Sequence, residues 1–215
     1  MKSLDTLGSD TVIVIDNFFS PNNLKLVTEE VKKLQFWNAD DHPDGPDYGY
    51  WPGIRTNKFS IVNPTLDSLI IKHIKETNAT FTQQPWKQHQ YAHLRTEKDN
   101  EEDFVHQDSN DWAYLIYLSE TKLDSGTKMY ESAKSELDFM TPEIKDVIQS
   151  KFGEFNIALS HSSTKEDKEH TFVKFVQNRI VMFDSSIPHM AWNNHGNDLT
   201  DGRLTINGFC DCDNS

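Results

Sequence analysis

From residue 86 onward, hydrophobic residues recur at about every second position in six short segments, and this pattern constrains the fold more than any other feature. A two-residue period predicts β-strands, with the turn residues between the segments marking their ends. Short strands that follow one another along the chain favour a sandwich or a barrel. The segments are 86–95, 112–119, 126–131, 171–177, 179–184 and 202–210.

The residues before this series predict one strand and two helices. A β-branched run at 11–16 is typical of a strand, and Ser20-Pro21 then begins a helix with serine as its N-cap. A second helix is expected at 64–77, and a third, at 141–152, interrupts the strands. The fold class predicted is α+β, with helices first and a β-sandwich core after them. The buried face of the first helix is expected to consist of Leu24, Val27, Val31 and Leu34.

The chain has 215 residues, which fits one domain spanning 1–215. Two segments stand out within it. Residues 38–56 combine Pro, Gly and Asp with three aromatic residues, and long loops in compact domains are often lids or binding loops. We expect 38–56 to be a lid over the site, or else a structured surface loop, and we expect 132–170 to be an insertion. The aromatic residues of the lid are Tyr48, Tyr50 and Trp51.

The net charge and the cysteine content limit the binding partners and the cellular location that we expect. With 21 basic and 34 acidic residues the net charge is −13, a sign that repels phosphate backbones, so no nucleic-acid partner is expected. No apolar run is long enough to predict a membrane helix. One residue separates Cys210 from Cys212, and this spacing constrains the two side chains too much for an ordinary disulfide. We expect reduced thiols and a cytoplasmic location; the sequence does not predict an oligomeric state.

Two His-x-Asp pairs are present, and their number alone carries no information. Nine histidines, each with about a 34/215 chance of an acidic residue two positions on, give about 1.4 pairs, and the sequence has two. His42 and Asp44 lie in the Pro/Gly loop, where nothing rigid would hold a ligand pair. His106 and Asp108 directly precede a predicted core strand, which could hold a metal ligand pair in place. The alternative for the second pair is a surface histidine beside a solvated aspartate.

The C-terminal part contributes a third histidine and an arginine. His189 follows a hydrophobic strand and a polar turn. Arg203 begins an alternating strand on which Arg203, Thr205 and Asn207 share one face. An arginine that faces inward needs an anionic partner, and its planar fork suits a carboxylate. A surface strand with a solvated Arg203 is the alternative.

Together, five segments resemble the 2-oxoglutarate/Fe(II) dioxygenases, and most closely the prolyl-hydroxylase-like branch. They occur in the order found in that superfamily, and the opening VIVIDNFFSP is similar to the start of that branch. The resemblance covers about residues 11–36 and 86–210. The segments are HQD at 106–108, IYLS at 116–119, GTKMY at 126–130, NRIVMFDSSIPH at 178–189 and RLTINGF at 203–209.

The resemblance implies a double-stranded β-helix, or jelly roll, that binds Fe(II) through His106, Asp108 and His189. It implies that Arg203 binds the distal carboxylate of 2-oxoglutarate, with Tyr117 and Asn207 as its polar helpers. The implied reaction consumes O₂ and 2-oxoglutarate and releases succinate and CO₂, hydroxylating a peptidyl residue or an amino-acid-like small molecule.

This sequence departs from the pattern of the superfamily at three points. The segment between His106 and His189 is long, with the helix expected at 141–152 inserted in it, which suggests a decorated substrate entrance. Ser125 replaces the first of two glycines that usually precede the threonine, here Thr127. The tyrosine that usually stands shortly before the His-x-Asp pair has Tyr91 as its nearest candidate. Two other functions stay open: a cupin-type metal enzyme that does not use 2-oxoglutarate, and a non-catalytic binding module on the same fold.

Overall fold

A computed structural model describes residues 12–43, 51–77, 86–101, 103–130 and 170–212 of the chain. Within these ranges the strands form two antiparallel sheets. The larger has seven strands in the order β1-β8-β5-β10-β4-β3-β2, and the smaller has three in the order β7-β6-β9. The strands are β1 (Val12–Ile15), β2 (Phe36–Trp37), β3 (Ile54–Thr56), β4 (Trp86–Arg95), β5 (Trp112–Tyr117), β6 (Lys122–Tyr130), β7 (His170–Phe175), β8 (Ile180–Asp184), β9 (His189–Trp192) and β10 (Arg203–Cys212).

The helices are α1 (Pro21–Lys32), α2 (Phe59–Val62) and α3 (Pro64–Thr77), and a 3-10 turn spans Glu97–Glu101. As predicted, Ser20 caps α1: its hydroxyl oxygen accepts a hydrogen bond from the Asn23 amide at 3.3 Å. The predicted buried face is also found, since Val27 and Val31 are fully buried and Leu24 and Leu34 pack partly against the same cluster.

The two faces of the large sheet have different partners. One face packs on the helices: Leu204 and Ile206 of β10 lie in a cluster with Val31 of α1 and Ile70 of α3. The opposite face packs on the small sheet. There Tyr117 and Phe183 of the large sheet join Met129 and Phe175 of the small one in a second cluster. The second face is called the inner face below, because it is enclosed between the sheets.

Helices precede most of the strands, as predicted, since seven of the ten described strands follow α3. Several segment bounds also match closely. The helix at 64–77 and the strand at 86–95 have the predicted bounds. The short elements β2, β3, α2 and β9 were not predicted, and β3 lies inside the segment predicted to be a loop at 38–56. Each has only two to four residues, too few to be recognised by a repeating hydrophobic pattern.

The predicted lid and the predicted insertion lie mostly outside the described residues. Residues 44–50, with Tyr48 and Tyr50, and residues 131–169, with the helix expected at 141–152, are not among them. Trp51 is described, and it is buried rather than exposed at a loop tip. Cys210 is a buried free thiol, as expected. In the described part of the chain, no helix is both long and apolar enough to cross a bilayer.

Candidate metal and co-substrate site

The structure brings His106, Asp108 and His189 together. Their nearest ligand atoms, one from each residue, all lie within 4.8 Å of one another. The Nε2 atom of His189 is 3.4 Å from Asp108 Oδ2, and that of His106 is 4.0 Å from Asp108 Oδ1. Two imidazoles and one carboxylate at this spacing are the ligand set of a facial triad, which leaves coordination positions open on a bound iron.

Backbone hydrogen bonds fix the three residues relative to each other. The His106 amide donates to the His189 carbonyl at 3.0 Å, and the His189 amide donates back at 2.8 Å. The Asp108 amide donates to the Ser185 carbonyl at 3.0 Å, which ties the His-x-Asp segment to the end of β8. The triad is therefore held by main-chain contacts between the two sheets.

Each imidazole is also oriented by a carbonyl two residues before it. Nδ1 of His106 donates to Phe104 O at 3.2 Å, and Nδ1 of His189 donates to Ile187 O at 2.9 Å. Because a carbonyl can only accept, the proton of a neutral ring lies on Nδ1 in both residues. The lone pair of Nε2 is then directed toward the centre of the cluster, as a metal ligand requires.

Burial sets the charge states at this cluster. It lowers the pKa of His106 well below its ordinary value, and the neighbouring His189 acts in the same direction. It raises the pKa of Asp108, while His189 and the Arg55 guanidinium act in the opposite direction. The cluster therefore combines neutral imidazole with a carboxylate that lacks a strong cationic partner. A divalent cation would stabilise this arrangement.

The other His-x-Asp pair has a different environment. His42 is buried, and its ring packs edge-on against Trp51 with 5.4 Å between the ring centroids. Asp44 lies outside the described residues. Among the described residues, His42 does not belong to a cluster of metal-ligating side chains.

Arg203 points into the space between the sheets, as the alternation on its strand predicts. The register of β10 pairs Thr205 with Tyr117 of β5 and with His93 of β4. Paired residues share a face, so Arg203, Thr205 and Asn207 lie on the inner face with Tyr117. The alternative of a solvated Arg203 is wrong, since only 3% of its surface is exposed.

The guanidinium of Arg203 has few partners for a buried cation. Its Nη2 atom is 3.4 Å from Gly126 O and 3.4 Å from Thr127 Oγ1, both of which are long contacts. Its Nε atom has no hydrogen-bond partner, and none of the described carboxylates pairs with it. Its carbon Cζ lies 5.7 Å from the Tyr117 ring centroid and 5.5 Å from that of Phe175. Within the described part of the chain, Arg203 is therefore a buried charge without a counter-ion.

Tyr117 and Asn207, the two residues predicted to assist Arg203, make different contacts. Tyr117 is fully buried and its hydroxyl lies 2.8 Å from Thr127 Oγ1, so Thr127 connects the tyrosine to Arg203. Burial raises the pKa of Tyr117, which keeps its phenol protonated and able to donate. Asn207 is half-buried, and its Oδ1 atom accepts a hydrogen bond from Thr205 at 2.7 Å. Thr127 was not among the predicted site residues.

Arg55 is a cation that the sequence analysis missed. It lies on β3, in register with His93, and its guanidinium is flanked by Trp51 and Tyr91, with 4.7 Å from Cζ to each ring centroid. Its charge acts on the pKa of His106 and of Asp108, which places it near the cluster. No sequence signal separates it from a loop arginine, because its strand has only three residues.

A third inner-face cation, Arg95, is neutralised within the protein. It forms a buried ion pair with Asp103, and the Asn194 amide donates to the same carboxylate. Asn194 in turn exchanges hydrogen bonds with Asn100. This network anchors the segment that leads from β4 to His106, so it is a structural support of the site.

Comparison of the sequence with family models gives one match, over residues 3–210, to a family of unknown function, DUF6445. The chain belongs to this family. No curated protein matches the chain significantly.

Solved structures share the fold of this DUF6445 chain at low identity. HygX from Streptomyces hygroscopicus, with nickel and 2-oxoglutarate bound, is 12% identical; the match covers 93% of this chain and 82% of HygX with a TM-score of 0.57. EvdO2 from Micromonospora carbonacea var. aurantiaca is 13% identical, with coverage of 99% and 94% and a TM-score of 0.62. A Pseudomonas putida prolyl-4-hydroxylase is 11% identical, with coverage of 97% and 96% and a TM-score of 0.52.

The predicted resemblance to 2-oxoglutarate/Fe(II) dioxygenases is therefore confirmed at the level of the fold. The prolyl-4-hydroxylase is one of several such neighbours, so the fold does not single out its branch. A second HygX structure also holds hygromycin B, which shows that this fold accommodates a bound small molecule in that protein.

Proposed function

We propose that this protein is an Fe(II)- and 2-oxoglutarate-dependent oxygenase built on a double-stranded β-helix. The observation that carries the proposal is the convergence of His106, Asp108 and His189, whose ligand atoms lie within 4.8 Å of one another. The nickel and 2-oxoglutarate bound to HygX, a protein of the same fold, support the same assignment.

The donor set fits iron. Two nitrogen ligands and one carboxylate match the facial triad of non-haem Fe(II) oxygenases, and each histidine has a carbonyl partner that orients its ring. In this proposal His106 and His189 each bind the metal through Nε2, and Asp108 binds it through one carboxylate oxygen.

The residues around Arg203 fit a dicarboxylate. A buried guanidinium with an unpaired Nε is costly without an anion, and a carboxylate would satisfy it through charge-assisted hydrogen bonds. The hydroxyls of Tyr117 and Thr127 lie beside it and offer further donors. Here Arg203 binds the distal carboxylate of 2-oxoglutarate, Tyr117 supports it, and Asn207 holds Thr205 in place on the adjoining stretch of β10.

When bound, the iron with 2-oxoglutarate and O₂ supplies an oxidant for an inert C–H bond, with release of succinate and CO₂. The protein holds the reactants in position and limits the access of water. The apolar side chains of Phe175 and Phe183, both fully buried, exclude water from the region between Arg203 and His189.

The substrate is proposed to be a peptidyl residue or an amino-acid-like small molecule, which the enzyme hydroxylates. Arg55 supports a substrate that bears a carboxylate. Arg55 adds a positive charge near the triad, since it acts on the pKa of both His106 and Asp108. Trp51 and Tyr91 flank the guanidinium, and its N–H donors lie along its edge, the side from which arginine binds a carboxylate.

The proposal is tested by 2-oxoglutarate consumption. Purified protein with Fe(II) and O₂ should convert 2-oxoglutarate to succinate, faster when an amino acid or peptide substrate is added. The Asp108→Ala variant should lose this activity and keep its fold by circular dichroism. Metal binding without 2-oxoglutarate binding would favour the cupin-type enzyme, and the absence of both would favour the non-catalytic module.

A further inference from the structure

His195 has two buried ring nitrogens, and neither has a hydrogen-bond partner among the residues that the structure describes. The residue lies in the turn between β9 and β10, and its ring packs edge-on against Phe175 with 5.3 Å between centroids. Buried polar atoms are nearly always paired, and the described residues do not pair these two nitrogens, so both are available to a bound ligand.

Arg203 adjoins the same ring. Its Cζ atom lies 5.5 Å from the centroid of Phe175, and its Nε is also buried and unpaired. Phe175 is therefore a common neighbour of the unpaired ring nitrogens of His195 and of the unpaired Nε of Arg203. A carboxylate has two oxygens and about four lone-pair sites, enough to accept from the guanidinium and from an imidazole together.

We propose that His195 is a second contact of the distal carboxylate of 2-oxoglutarate, beside Arg203, and that it takes up a proton when the co-substrate binds. This inference rests on the proposed function. It assigns His195 a role in the affinity and pH dependence of co-substrate binding that neither the metal triad nor Arg203 supplies.

The charges around His195 explain the proton uptake. Burial and the cations Arg203 and Lys122 lower its pKa to about 4, against the opposing effect of Asp124 and Asp201. The imidazole is therefore neutral near pH 7 when no ligand is bound. A carboxylate next to it offsets the effect of Arg203 and stabilises the imidazolium, so the pKa rises in the complex.

The sign of the pH effect follows from linkage. The complex binds more protons than the free protein at any pH between the two pKa values of His195. Affinity for 2-oxoglutarate should therefore increase as the pH falls through that range, by up to about tenfold for each pH unit.

The experiment is calorimetric titration of 2-oxoglutarate into the full chain loaded with Mn(II), without O₂. It is run between pH 5.5 and pH 8, in buffers of different ionisation enthalpy. The wild type should take up a proton, with uptake approaching one as the pH falls, and its affinity should weaken with rising pH. His195→Gln keeps a hydrogen-bond donor but cannot titrate, so it should bind within a few-fold of wild type and lose the proton uptake.

His73→Gln is the matched control, because His73 lies on α3 and packs against Phe18 and Phe19 on the other side of the sheet. It should keep the proton uptake of the wild type. If His195→Gln shows the same uptake as the wild type, the inference is wrong while the proposed function stands. If the wild type does not bind 2-oxoglutarate at any pH, the proposed function fails and the inference fails with it.

Discussion

His106 and His189 are joined by a reciprocal pair of backbone hydrogen bonds, at 3.0 and 2.8 Å. One residue follows β4 of the large sheet along the chain, and the other begins β9 of the small sheet, so the pair connects the two sheets at the candidate metal site. The position of each imidazole depends on main-chain atoms rather than on Asp108. Loss of the Asp108 side chain should therefore remove a ligand without displacing the other two.

Asp108→Ala should abolish metal binding and leave the fold intact. A metal that binds only the folded protein raises the free energy of unfolding by about 2.7 kcal/mol at a hundred times its Kd. We expect Mn(II) to give a rise of this kind in the wild type and almost none in the variant, measured by thermal unfolding with and without metal. His42→Ala is the control and should keep the rise. A full Mn(II) effect in Asp108→Ala would contradict the assignment.

Arg203→Met should have opposite effects on stability and on co-substrate binding. The substitution removes a buried charge that has no counter-ion among the described residues, so the free energy of unfolding without ligand should stay unchanged or increase. The loss of a charge-assisted pair, about 1.5–3 kcal/mol, should weaken 2-oxoglutarate binding by about tenfold to a hundredfold. Calorimetry with Mn(II) and chemical denaturation measure the two quantities.

Three further variants complete this comparison. Arg203→Lys keeps the charge and loses the fork, so its affinity should lie between those of the wild type and Arg203→Met. Tyr117→Phe removes one neutral hydrogen bond and should cost about 1 kcal/mol. Arg179→Met removes an arginine whose charge is neutralised by Asp16, and it should bind as the wild type does. Unchanged affinity in Arg203→Met would favour the cupin-type enzyme.

Arg55→Met should reduce the stimulation of turnover by a carboxylate-bearing substrate and spare 2-oxoglutarate binding. The variant keeps an apolar side chain between Trp51 and Tyr91 and removes only the charge. Succinate formation is compared for matched amino acids and their amides. The wild type should prefer the acid, and the variant should show no preference. An equal preference in both proteins would assign Arg55 a structural role.

For residues on long strands, the sequence was enough to predict which face of the sheet they occupy. The alternation of Arg203, Thr205 and Asn207 predicts their shared face, because β10 is ten residues long and packs hydrophobic partners on its other side. Arg55 and His195 could not be found this way. Arg55 lies on a strand of three residues, and His195 lies in a turn; only the tertiary fold brings each to the inner face.

Gly208→Ala should destabilise the fold through a clash on the helix-facing side of β10. An added Cβ would lie 1.9 Å from Cζ of Tyr114, whose ring is fully buried and whose hydroxyl bonds to Gln90. Overpacking of this kind costs about 1–3 kcal/mol. In a Tyr114→Leu background the same change should cost less, a coupling measured by denaturant unfolding of the four proteins. If the effects of the two substitutions on the free energy of unfolding are additive, the Tyr114 ring moves aside in Gly208→Ala.

The stability of the protein should fall as the pH drops below about 6.5, and His93 should account for part of that loss. His93 is fully buried, and its Nε2 donates to Pro52 O at 2.7 Å. Burial, with Arg55 and Arg95 nearby, holds its pKa well below the ordinary value, so the folded protein keeps it neutral. The unfolded chain takes up the proton near pH 6.5, and therefore acid favours unfolding.

His93→Gln removes this proton linkage and keeps an amide that can donate to Pro52. Its stability at pH 7.5 should be lower than that of the wild type, because the amide does not fill the space of the ring. Between pH 7.5 and pH 5.5, however, it should lose about 1 kcal/mol less than the wild type, since each pH unit below the unfolded pKa costs about 1.4 kcal/mol for a histidine that stays neutral in the fold. Denaturant unfolding across this pH range measures both slopes. If the free energy of unfolding changes equally with pH in both proteins, His93 is protonated within the folded protein.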